Sequence, residues 1–208
     1  MSEETTTVER VSAQGWEIEV DPKSPELQEH LSKGVTRAKE ISNQYPSLSQ
    51  AEALMIYITK EHPQFSQFYR TFEFTTDGQL EANPNDPTEE ELQRDYKVAD
   101  YIHEKGKVSL DAICEFGDQC FGQSVFASAC LEKMGCPNTI LHLAPKEKGD
   151  HHAMIIYHDT EKNIDQIFDP MFGIVLPQQH FKVLYGDEEL GVLDFKGEIK
   201  RPDEIFGV

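Results

Sequence analysis

The sequence predicts an α+β fold in which a helix covered on most sides lies against an antiparallel sheet. Two observations carry this. Before Pro137 the apolar residues recur at helical spacing in several separate segments, and after it they alternate with period two. In the last helical segment Phe121, Val125, Phe126, Ala129, Cys130, Leu131 and Met134 leave only a narrow polar strip of Gln123, Ser124 and Ser128. Such a helix belongs inside a domain.

Taken in order, residues 1–14 are polar and read as a loose tail. Trp16, Ile18 and Val20 then alternate with Glu17 and Glu19 as in a half-buried strand. Ser24 with Pro25 opens a first helix, whose apolar stripe is Leu27, Leu31, Val35, Ala38 and Ile41. Ser47 and Gln50 read as the capping box of a second, with Ala51, Leu54, Met55 and Ile58 on its buried face.

The aromatic run Phe65, Phe68, Tyr69, Phe72 and Phe74 reads as core, because aromatic side chains dominate burial. Thr75 to Pro87 reads as loop and internal linker, with Asp77-Gly78 and Asn83-Pro84-Asn85-Asp86-Pro87 as turn chemistry. Thr88 and Glu91 cap a further helix that ends near Gly106, and Ser109 to Glu115 is a short helix or turn. The division is therefore a tail over 1–14, an N-terminal helical part over 15–87 that is an extension or subdomain, and a core over 88–208.

The covered helix starts near Cys120 and stops at Gly135, which suits a left-handed C-cap, with Pro137 two residues on. A cysteine in the first turn feels the positive end of the helix dipole, which favours the thiolate. Asp118 reads as the N-cap, and its charge offsets part of that help. Beyond Pro137, Thr139–Leu143, His152–His158 and Ile164–Asp169 read as three strands of a meander, with Ala144–Asp150 a loop and Asp159–Asn163 a turn.

That hairpin supplies a base and an orienter. If His158 faces Asn163, His152 faces Asp169 directly; if His158 faces Ile164, His151 becomes the diagonal neighbour of Asp169. Cys120, His152 and Asp169 thus form a nucleophile, base and orienter set, with His151 the alternative base. Cys130, mid-helix, and Cys136, beyond the cap, read as packing thiols; Cys114 packs or lines the cleft. His142, His152, His158 and Cys120 lack the tight local spacing of zinc ligands, so no metal and no cofactor is expected.

These residues resemble the transglutaminase-like superfamily of papain-type thiol enzymes. Its nucleophile motif runs Gly-x-Cys, an apolar helix, then Leu-Gly-Ile-Pro; here Gln119-Cys120 is followed by Met134-Gly135-Cys136-Pro137. Its His-Ala-Trp and Val-Asp-Pro motifs resemble His152-Ala153-Met154 and Phe168-Asp169-Pro170. The likeness covers Ile113 to Gly173. It implies a papain/transglutaminase-like fold, with the cysteine helix on an antiparallel sheet, and thioester chemistry on amides. Met154 stands where the family has Trp, and the only Trp is Trp16, so the oxyanion donors expected are the Cys120 N–H and, as a second amide, Gln119.

The expected function is a thiol-dependent acyl-transfer enzyme acting on a protein or peptide, a cysteine protease or glutamine deamidase. Alternatives are a transglutaminase with an amine acceptor and a catalytically silent binding module of the same fold. A bacterial effector that modifies host proteins is one setting. The chain carries 19 basic and 38 acidic residues, a net charge of −19, which repels nucleic acid and anionic lipid. The first reading of that charge is plain solubility, and it is also compatible with a basic substrate. Its 208 residues suffice for one sizeable core. With no signal-like N-terminus and no long apolar run, it reads as cytoplasmic, or secreted without a cleavable signal peptide.

Overall fold

The computed structural model describes residues 9–13, 16–66, 72–74, 80–82, 107–144, 152–170, 173–178, 191–193 and 199–200. The alternation at Trp16, Ile18 and Val20 yields strand β2 (Trp16–Val20), which pairs antiparallel with β1 (Glu9–Ala13) and parallel with β5 (Lys107–Ser109). The loose tail expected over 1–14 is thereby corrected: Glu9–Ala13 is a strand. A polar stretch can pair on an edge of β2 because the ladder needs only backbone groups, and its register sets Arg10 against Glu19 and Val11 against Ile18.

Helix α1 (Pro25–Gln44) begins as expected, with the Leu27 N–H donating to the Ser24 hydroxyl and Pro25 in the first turn. Leu27, Leu31, Ala38 and Ile41 are buried. Gly34 on the same face is buried too, and a Cβ there would come within 3.1 Å of Cys130 Sγ, so the glycine lets α1 approach the cysteine-bearing helix.

Helix α2 (Gln50–Ile56) is capped by Ser49 and Glu52, not by Ser47 and Gln50. The Glu52 N–H donates to Ser49 Oγ at 3.1 Å, and the Ser49 N–H donates to Glu52 at 3.0 Å. A carboxylate at the third position accepts more strongly than an amide, and Ser49 is further fixed by donating to the buried Asp159. α2 runs on into a π turn over Tyr57–Glu61 that ends at His62.

Phe65 is buried as expected. The loop expected from Thr75 to Pro87 contains a strand, β4 (Leu80–Ala82), which pairs antiparallel with β3 (Phe72–Phe74). The turn signal at Asp77-Gly78 lies outside the described residues. The helix expected between Thr88 and Gly106 falls outside the described residues.

Helix α3 (Leu110–Phe116) starts at Ser109, and α4 (Cys120–Lys133) ends at Gly135 with φ +74°. Cys136 N–H donates to Leu131 O and Gly135 N–H to Glu132 O, both at 2.9 Å, which is a Schellman closure.

The three strands expected after Pro137 form as β6 (Asn138–Ala144), β7 (His152–Asp159) and β8 (Ile164–Asp169). β9 (Ile174–Pro177), β10 (Gly191–Leu193) and β11 (Ile199–Lys200) widen the sheet to six antiparallel strands in the order β11-β10-β6-β7-β8-β9. α4 packs on β6 and β7 and is backed by α1, α2 and α3. One core cluster takes Ile18, Leu27 and Leu54 together with Phe126, Ile155 and Phe168, so the N-terminal helices share the core of the sheet. The fold is α+β. No helix among the described residues is long and apolar enough to cross a membrane.

Candidate active site

Cys120 is the first residue of α4 and is partly exposed. Its N–H belongs to the set that no carbonyl within the helix can reach. The N-cap is Gln119, and no side chain caps the helix there. The expectation of Asp118 as N-cap is corrected: the chain enters the helix one residue later. Asp118, 2% exposed, instead accepts the Gln119 N–H through Oδ1 at 2.8 Å, while its carbonyl accepts from Gln123 Nε2 at 3.1 Å. A Cβ on Gly122 would collide with the Asp118 carboxylate. Gly122 was readable as a glycine inside a helical pattern, which marks a close approach.

His152 opens β7 and Asp169 closes β8. The observed register pairs His158 with Asp165 and Ile155 with Phe168, which differs from both registers considered from sequence. The difference arises because the turn begins one residue later, so that Asp159 pairs with Ile164. Extending the ladder by one step places Asp169 opposite Met154, and His152 becomes its diagonal neighbour on the same face. A diagonal separation of about 7–8 Å between Cα atoms is within reach of an imidazole and a carboxylate. His152 Nε2 lies 2.7 Å from Asp169 Oδ2, with the Asp169 side chain fully buried and that of His152 15% exposed. His151 lies outside the described residues.

The imidazole also hydrogen-bonds Cys120. Since Asp169 occupies Nε2, Nδ1 is the ring nitrogen left for sulfur. Burial alone would pull His152 down, but the hydrogen bonds to Asp169 and Cys120, reinforced by their negative charges, outweigh it and raise the imidazole to about 10. At neutral pH the ring is therefore held as imidazolium between two acceptors.

The other thiols sit elsewhere. Cys114 and Cys130 are buried, and burial pushes both well above the usual cysteine range. Cys136 is buried beyond the helix cap. His158 bonds Asp165 at 2.8 Å at the opposite end of β7, about 20 Å from His152 along the strand, so it cannot join Cys120. Gln119, half-buried, spends its backbone N–H on Asp118, so that N–H is not available as an oxyanion donor.

The structure thus brings Cys120, His152 and Asp169 together from one helix and two adjacent strands. No protein-family model matches the chain, and neither a curated protein nor a solved structure matches it significantly.

Proposed function

We propose that the chain is a thiol-dependent acyl-transfer enzyme that acts on amide carbonyls of a protein or peptide, as a cysteine protease or glutamine deamidase of papain/transglutaminase-like type. The observation that carries this reading is that one histidine, His152, hydrogen-bonds both the first-turn thiol Cys120 and the buried carboxylate Asp169. A packing cysteine has no use for such a partner. The arrangement sets an imidazole beside the sulfur and lets the carboxylate fix the orientation of the ring.

In this reading the Cys120 thiolate attacks the carbonyl carbon, forming a C–S bond while the carbonyl oxygen takes the displaced electron pair. The Cys120 N–H serves as donor to that oxygen, with the Gln119 side-chain amide as the candidate second donor. Collapse breaks the C–N bond, and His152 gives its proton to the departing amine or ammonia. Water then attacks the thioester, His152 takes its proton, and the C–S bond breaks to release the acid. Asp169 keeps the proton-bearing Nε2 fixed throughout, so that Nδ1 handles both transfers.

The net charge of −19 is complementary to a basic substrate and unfavourable for nucleic acid. Limited iodoacetamide treatment read by mass spectrometry tests the chemistry. Cys120 should label at least tenfold faster than Cys114, Cys130 and Cys136, and lose that lead in His152→Ala; equally slow labelling of all four sinks the proposal. Incubation with glutamine-bearing peptides, with and without a labelled amine, then separates cleavage, deamidation and amine incorporation.

A further inference from the structure

We infer that Asp118 is a positioning residue for Cys120, one whose buried negative charge under the first turn of α4 restrains thiolate formation. This rests on the reading of Cys120 as a nucleophile. Three contacts tie Asp118 to the residues that flank Cys120: Oδ1 accepts the Gln119 N–H at 2.8 Å, its carbonyl accepts Gln123 Nε2 at 3.1 Å, and its carboxyl group rests where a side chain on residue 122 would be. Gln123 is itself 3% exposed, so the clamp is closed off from water. Only glycine at 122 admits it.

A carboxylate in this place does two things. It holds the start of the helix, and therefore the direction in which Cys120 leaves it. It also answers the positive end of the helix dipole, which would otherwise act on the sulfur alone. Because Asp118 is 2% exposed, water and salt screen that charge little. The sulfur thus sits between opposed influences: His152 of β7, backed by Asp169 of β8, favours the thiolate, and Asp118 opposes it.

Other titratable groups facing α4 act further along. Cys114 of α3 and Tyr57 lie around Cys130, and α1 meets that thiol with the uncharged Gly34. Asp118 is the acidic group whose carboxyl lies against Gly122 in the first turn.

The test is the pH profile of Cys120 alkylation by iodoacetamide. Asp118→Asn keeps an acceptor for the Gln119 N–H and removes the charge, so the alkylation midpoint should fall by about one pH unit, with the plateau rate within about twofold of the parent. Asp118→Ala should show the same fall together with a plateau about tenfold lower. A midpoint in Asp118→Asn that stays put or rises overturns the inference.

A second measurement needs no folded variant. Carbon-13 NMR of the Asp118 carboxyl in the unsubstituted protein should show an inflection at the midpoint of Cys120 alkylation, which disappears once Cys120 is blocked as a neutral methyl disulfide. A carboxyl resonance without that inflection overturns the inference equally. If Cys120 shows no lead over the other thiols in the unsubstituted protein, the proposed function fails; if it leads but neither profile moves, only the role of Asp118 fails.

Discussion

Asp169 reaches His152 across a diagonal of the β7–β8 ladder, 2.7 Å between Oδ2 and Nε2, with Met154 rather than His152 directly opposite it. The carboxylate is fully buried and the imidazole nearly so, which makes this contact stiff. Stiffness matters because the tautomer and the ring plane follow from it.

Asp169→Asn is therefore the most informative single change at the site. An amide can offer N–H to Nε2 and stabilise the wrong tautomer, leaving Nδ1 protonated when it should accept. Amide turnover should fall by roughly a thousandfold or more while the far-UV spectrum is unchanged. His152→Ala should lose as much. Retention of turnover within tenfold in either variant would remove the triad from the mechanism.

Two histidines should shape the pH dependence of stability in opposite arms. His62 is buried, and burial, with the positive charges of His30 and Lys33, lowers it to about 4. Its folded value lies below the unfolded value of about 6.5, so the unfolded chain binds the extra proton and stability falls as pH drops from about 6.5 towards 4. His152 is raised to about 10: burial opposes this, and Asp169 and Cys120 prevail. Its contribution is complete below about 6.5 and is lost as pH rises towards 10. Melting temperature followed from pH 4 to 10 should show His62→Asn flattening the acid arm and His152→Gln flattening the alkaline one. An alkaline arm unchanged in His152→Gln would show that the imidazolium does not support the fold.

The limits of the sequence reading follow from the range of each signal. Ser24-Pro25, Gly135-Pro137 and the period-two runs act within a few residues, and α1, the end of α4, and β6 to β8 lie where they predict. Ser49 was hidden behind Ser47 because its choice as cap depends on Asp159, 110 positions away. β1 and β4 are strands because a partner edge exists, a long-range condition with no local mark. At the site the three residue types were legible, but the register was not, since a one-residue change in the turn alters every pair beyond it.

Ser49 joins α2 to the sheet, so its removal should cost more than an ordinary cap. Its hydroxyl accepts the Glu52 N–H and donates to Asp159, which is 1% exposed and also accepts from the N–H groups of Glu161 and Lys162. Ser49→Ala loses the cap, about 1–2 kcal/mol. It also takes one donor from a buried carboxylate, about 1 kcal/mol or more. Urea unfolding should show a loss of about 2–3 kcal/mol with Cys120 labelling unchanged, whereas a loss under 1 kcal/mol would mean that Asp159 is satisfied without Ser49.

Gly135 offers the converse case, a glycine required by backbone conformation alone. Its φ is +74°, yet a Cβ built on it meets no atom within 4 Å, so Gly135→Ala pays the left-handed backbone penalty without any clash. That penalty is roughly 1 kcal/mol, or about 3 °C in melting temperature for a chain of this length. The Schellman closure lies at the opposite end of α4 from Cys120, so the relative labelling rates of the four thiols should not move. Gly122→Ala must instead displace Asp118 from the first turn, and it should alter both stability and the pH profile of Cys120. Equal behaviour of the two alanine variants in the alkylation assay would show that the first turn of α4 tolerates the displacement.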